Sequence, residues 1–273
     1  INLSTFNLEF EPVTNLRLLT GISYRTLSSA LPEAFNLDYI DPSSPTGISS
    51  VTKDFEFNST LIYTPKKRTI GFGVERRNIN YDYSTLLLSY TKGMSGFFDS
   101  GFDYEKFQFS YTQPWKLGFG RLLSSVEIGK TFGTVPLGLL SVVPGNQTFF
   151  TLFNTFPNLN FYEFVTDTYA SMHFEHNFNG RLFARIPVVR KWNLREIVGL
   201  RGVWGELSNA NKLLSSATNI PLMAPTDRIY WEYSVGVGNI FRIFRIDFNF
   251  RGNYLDNPDA RPFGITGSFG FSF

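Results

Sequence analysis

Ser171, His173 and Glu175 stand two residues apart, with the chain's second histidine at His176. A hydroxyl, an imidazole and a carboxylate are the parts of a hydrolytic relay: the ring takes the hydroxyl proton and the carboxylate holds the ring. The spacing argues against that chemistry. Residues at alternate positions of an extended strand project side by side from one face, whereas a relay converges from separate elements. No other segment carries a histidine to complete a site, so the plainer reading is the polar face of one strand.

Glu163, Asp167, Asp247 and Asp256 are hard oxygen donors of the kind calcium takes. They follow no fixed ligand spacing, and hydration with ion pairing accounts for them. No metal and no cofactor are expected. Gly71 with Gly73, and Gly118 with Gly120, precede no helix whose N-terminus would hold a phosphate. A net charge of +2 gives no electrostatic case for nucleic acid. Two basic clusters remain: Lys66, Lys67, Arg68, Arg76 and Arg77, then Arg181, Arg185, Arg190 and Lys191. They suit either lysine and arginine side chains reaching phospholipid headgroups or an acidic docking partner.

The elements that carry these residues alternate with period two. Phe244, Ile246, Phe248 and Phe250 fall on one face, with Arg245, Asp247, Asn249 and Arg251 on the other. In the last segment Ile265, Phe269, Phe271 and Phe273 share a face opposite Thr266, Ser268 and Ser272. Phe55, Phe57 and Leu61 oppose Asp54, Glu56 and Asn58 in the same way, and His173 and Glu175 sit opposite Met172 and Phe174. A strand that is aromatic on one side and charged on the other needs an apolar medium and a polar lumen at once. Composition agrees: 30 Phe and 13 Tyr coexist with a mean hydropathy of only −0.09, because the two faces cancel.

The reading is all-β, a transmembrane antiparallel β-barrel of an outer membrane. Residues 1–273 form one barrel domain with eleven spanning strands, and 68–80 is a candidate twelfth. No apolar run is long enough for a membrane helix. Long links at 28–50, 131–162, 207–227 and 252–262 fall on one side. Short ones fall on the other, at Pro12-Val13-Thr14, Gln113-Pro114-Trp115 and Gly238-Asn239-Ile240, together with the longer basic turns 65–82 and 178–192. The long side is expected outside the cell. Tyr111, Trp115, Trp192, Trp204, Tyr230 and Trp231 read as interfacial girdle residues. The chain opens in mid-alternation at Ile1, so further strands and a periplasmic region are expected upstream.

Ordered motifs support a resemblance: Glu163-Phe164-Val165, Tyr169-Ala170-Ser171, Phe174-Glu175-His176, Phe178-Asn179-Gly180 and Leu194-Arg195-Glu196. Gly238-Asn239-Ile240-Phe241, Arg245-Ile246-Asp247 and Tyr254-Leu255-Asp256 continue it, with Ser89-Tyr90-Thr91-Lys92-Gly93 and Gly133-Thr134-Val135-Pro136-Leu137 upstream. Together they resemble a Bacteroidota outer-membrane family associated with an N-terminal carboxypeptidase-regulatory-like domain. Its barrel is similar to that of the BamA/TamA and two-partner-secretion superfamily, the surface-antigen superfamily. The resemblance implies about sixteen strands, of which this chain supplies the last eleven. It also implies an insertase, translocation scaffold or accessory subunit without chemistry of its own. The partners would be outer-membrane lipids and other envelope proteins or lipoproteins. A passive uptake channel and a barrel hydrolase are the alternatives.

Alternation assigns Phe248 to lipid and Asn249 to water. Arginine at Phe248 is therefore expected to cost several times more stability than arginine at Asn249, about 2–4 kcal/mol being typical mid-membrane. Equal losses in unfolding titrations would reverse the faces.

Overall fold

The structure, a computed structural model, describes residues 2–71, 73 and 76–270. Phe271 and Phe273 lie outside the described residues. Eleven strands form one antiparallel sheet in sequence order. They are β1 (Asn2–Val13), β2 (Leu16–Leu27), β3 (Thr52–Tyr63), β4 (Thr85–Gly93), β5 (Tyr104–Leu117) and β6 (Gly120–Phe132). β7 (Thr168–Asn177), β8 (Arg195–Glu206), β9 (Tyr230–Ile240), β10 (Phe244–Arg251) and β11 (Phe263–Phe269) complete it. Among the described residues, the segment 68–80 adds no twelfth strand to the sheet. It holds a two-residue ladder of Thr69–Ile70 with Arg77–Asn78 inside the β3–β4 turn.

Three tight turns sit a few residues later than the sequence suggested, for backbone reasons. Asn15, with φ 67°, closes the first, and β1 runs on through a register shift between Phe10 and Val13. Pro114 stands inside β5 opposite Leu123, and the chain reverses at 118–119. β9 carries a shift between Val237 and Ile240, and the reversal falls on Phe241 and Arg242. A bulge inserts a residue without ending the ladder, so a Pro or Gly-Asn signal there marks irregularity rather than a turn.

The sheet is strongly rolled. Arg245 on β10 reaches across two strands to Glu175 on β7, with contacts of 2.9 and 2.6 Å. At the long-loop end, the Thr218 amide after β8 donates to Asn36 Oδ1 after β2 at 2.8 Å. Only a curled wall brings those loops together, as barrel geometry does. β1 and β11 do not pair with one another among the described residues.

The two faces differ in kind. Ile246, Phe248, Ile265 and Phe269 are exposed and Phe244 and Phe250 partly so, continuing an exposed apolar band through Phe57, Leu88, Phe107, Ile128, Leu200 and Val235. The opposite face carries Arg245, Asp247, Asn249, Arg251, His173 and Glu175 as well as Asp54, Gln108 and Arg201. The apolar core comes from elsewhere. Val135, Leu137, Leu139, Val143, Phe156, Leu159, Phe164 and Val165 all belong to the long connection after β6, residues 133–167, which folds onto the inner face. The strands thus lack the apolar-in, polar-out pattern of a soluble sandwich, and the connection supplies what the wall cannot.

This corrects two expectations. Tyr230 is not an interfacial residue: its ring is fully buried against Phe156 and Phe164. Asn249 does not face water either, being 0% exposed and bonded to Thr266 and Arg201. Arginine at Asn249 would break that network, so the comparison with Phe248 cannot separate the faces. Phe109 and Ser110 can, since Phe109 lies on the apolar face and Ser110 carries no side-chain hydrogen bond among the described residues. Phe109→Arg should lower stability in lipid vesicles by about 2–4 kcal/mol, and Ser110→Arg by a small fraction of that. Urea titrations giving the larger loss at Ser110 would invert the wall.

Candidate functional site

The inner face of β7–β11 and the connection folded onto it gather most of the buried charge. Arg251 lies at its centre, where the alternation of β10 points it inward. Its guanidinium meets both Glu163 oxygens, at 2.6 and 3.1 Å, and lies 5.0 Å from the Tyr230 ring centroid. The carbonyls of Asn253 and Tyr254 accept from it at 3.0 and 2.6 Å. Glu163 in turn accepts from the Asn160 amide and the Asn257 side chain. The pair is essentially buried, with side chains 0% and 5% exposed. A buried pair survives desolvation only when its remaining donors and acceptors are occupied, and here they are.

A second cluster lies toward the short-turn end. Arg245 binds Glu175 through both terminal nitrogens and Asp247 through Nε. Asp247 also accepts from Thr151 Oγ1 at 2.8 Å, which ties the connection to the wall. Gly236 makes the room: a Cβ there would lie 2.1 Å from Asp247 Oδ1. Back beside Arg251, its register partner Glu232 accepts at Oε1 from the Asn158 amide and the Tyr230 hydroxyl.

The groups that suggested chemistry are not assembled for it. Among the described residues His173 has no hydrogen bond to Ser171 or Glu175. Its ring lies 4.9 Å from that of Phe156, and Glu175 is committed to Arg245. The four carboxylates separate as well: Glu163 pairs with Arg251, Asp247 with Arg245, and Asp167 with Asn211 and the Ser208 amide, while Asp256 is exposed in the β10–β11 loop. Among the described residues no three acidic or histidine side chains come together to hold a metal. Farther along the wall, a cavity of about 290 Å³ lies between the connection and the strands, lined by Lys106, Gln108, Glu127, Ser171 and His173. Burial raises the Tyr162 phenol in the connection above its ordinary range.

The connection also reaches the edge of the sheet. β11 pairs with β10 on one side. Toward the other, its Gly267 N–H donates to Phe149 O and its carbonyl accepts from the Thr151 N–H, both at 2.8 Å. Phe150 thus forms a parallel bridge with Gly267. A strand residue sends its N–H and C=O to the same side, so this three-residue segment covers the free edge at Gly267. Asn146 braces it, donating from Nδ2 to Phe150 O and accepting from the Thr148 amide. Sequence reasoning missed this role, which has no residue signature: Phe149 and Phe150 are followed closely by Leu152, Phe153 and Phe156.

A family model described as the C-terminal domain of a family of unknown function, DUF5686, matches residues 31–210, well over half of the chain. The chain belongs to this family. The DUF5686 match runs from the loop before β3 through β8, and so includes the whole inward-folded connection with Glu163 and the edge segment. No curated protein matches the chain. Among solved structures, that of Pseudomonas aeruginosa OccK11 (OpdR) is similar over 98% of this chain and 68% of that one. At 11% identity and a TM-score of 0.33, the likeness carries no argument.

Removing one member of the Arg251–Glu163 pair leaves the other charge buried and alone. Arg251→Ala should cost about 3–5 kcal/mol and expose 133–167 to proteases, whereas Arg251→Met with Glu163→Leu should recover most of the loss. Unfolding curves and limited proteolysis would check this. A tolerated Arg251→Ala would show that the pair does not hold the connection in place.

Proposed function

We propose that this DUF5686 domain is the wall of an outer-membrane β-barrel that handles other envelope polypeptides, accepting an extended client segment at the free edge of β11. It would act as an insertase, translocation scaffold or accessory subunit and carry no chemistry. Support for the membrane comes from the apolar band, since soluble monomers rarely expose contiguous apolar patches beyond a few hundred Å². The long loops gathered at one end suit a cell-exterior face.

One observation carries the functional reading: the β11 edge is covered by three residues of a loop rather than by a strand. An unpaired edge in lipid leaves backbone groups unsatisfied at several kcal/mol each. A short segment that satisfies them and can withdraw keeps the edge ready for a longer strand, the mode of recognition known as β-augmentation. Closure of the barrel would then come from strands outside this chain joining at β1, with β11 as the open side of the seam. A channel reading has the polar cavity along the wall in its favour, though the connection fills much of the inner face.

A disulfide separates the two readings, and the chain has no cysteine to interfere. Phe150→Cys with Gly267→Cys joins bridge partners, whose separation suits a disulfide. In vesicles, the reduced protein should speed the insertion of a urea-unfolded outer-membrane barrel, the oxidised one should not, and reductant should restore the effect. Equal rates in both states would remove the edge from the mechanism. Steady ion conductance with no effect on insertion would favour the channel.

A further inference from the structure

A groove of about 740 Å³ lies on the outer, apolar face at the short-turn end of β8–β10. Val237, Ile246 and Phe248 line its strand side, and Trp192, Phe241 and Arg242 stand at its turn end. Trp192 arrives on a short helical turn, Val189–Trp192, that also carries Arg190 and Lys191, both exposed. Asn239 Nδ2 donates to Asn193 O at 2.6 Å and fastens this turn beside the β9–β10 hairpin.

The hairpin is unusual. The Ile243 amide closes it onto Ile240 O at 3.1 Å, and both central residues take positive φ, 49° for Phe241 and 69° for Arg242. Turns of that shape ordinarily use Asn-Gly. A phenylalanine and an arginine here keep a ring that is 87% exposed, and a cation, at the mouth of the groove. Across 178–194 there are four basic residues and no acidic one, and Arg242 adds a fifth charge beside them.

We propose that this groove is a binding site for one anionic phospholipid of the periplasmic leaflet. An acyl chain lies along Val237, Ile246 and Phe248, and the phosphate is held by Arg242 with Arg190 and Lys191. The inference rests on the membrane reading above. Its chemistry is narrower than generic anchoring, because apolar groove, interfacial aromatics and undiluted positive charge meet at one depth. An acidic protein would use the charge and leave the groove empty.

Brominated lipids quench tryptophan on contact, and the quenching lost in Trp192→Phe reports this site. In phosphatidylcholine vesicles, brominated phosphatidylglycerol should quench the Trp192 contribution several-fold more than the same fraction of brominated phosphatidylcholine. Each basic residue near an anionic surface favours it by about fivefold. The preference should vanish in Arg190→Gln/Lys191→Gln/Arg242→Gln, while brominated phosphatidylcholine still quenches, which shows that the variant remains inserted. Equal quenching by the two lipids in the native chain overturns the proposal, as does a preference that survives the triple substitution. Binding of polyglutamate to the native loop without any lipid preference would also overturn it in favour of an acidic protein. No quenching by either lipid would sink the membrane reading itself.

Discussion

A wall whose phenylalanines and aliphatic side chains point mostly outward cannot make a core from its strands alone. That constraint governs the whole molecule. The inner surface of the wall is a field of Arg, Glu, Asp, Asn and Thr, and each group there needs a partner once water is excluded. Part of the answer is lateral, as when Arg245 joins Glu175 and Asp247 across the curl of the sheet. The rest comes from 133–167, which brings its own apolar residues to fill the space and its own polar atoms to meet the wall. Arg251 is where the two solutions join, since it contacts both Glu163 and the Tyr230 ring.

The same arrangement links the edge of the sheet to its interior. Phe150 covers β11 while the next residue, Thr151, bonds Asp247 and Thr266 inside. Any movement that uncovers the edge must therefore also loosen a polar contact on the inner face. Interior polar networks of this kind hold a structure in discrete arrangements when they are fully satisfied. Edge and interior should accordingly switch together rather than drift independently.

The wall was legible in the sequence because its code is local. Phe248 and Asn249 differ in kind, and a period of two fixes which faces inward once either is placed. The count of eleven strands and the division into long-loop and short-turn ends followed from the same pattern. The turn positions were less legible, because bulges near Phe10 and Val237 and the in-strand Pro114 shift reversals without breaking the alternation. What could not be read was the filling. Val135, Leu137, Phe156 and Phe164 have no period, and nothing local distinguishes a loop that projects outward from one that folds in. Arg251 shows the limit: its inward direction was clear, but its partner Glu163 came from a segment 88 residues away.

That separation bears on the order in which the molecule can be built. Each strand of the wall pairs with its neighbour in sequence, so hairpins can add one after another with modest loss of chain entropy. The contacts that seat the connection are different, with Thr151 and Asp247 lying 96 residues apart and Glu163 and Arg251 88 apart. They cannot form until β10 exists, long after the connection itself has been synthesised. Until then, its apolar residues rest on an unfinished wall. The assembly sequence is therefore a shell first and its contents last, and a chain halted before β10 would hold its future core in the open, where chaperones bind.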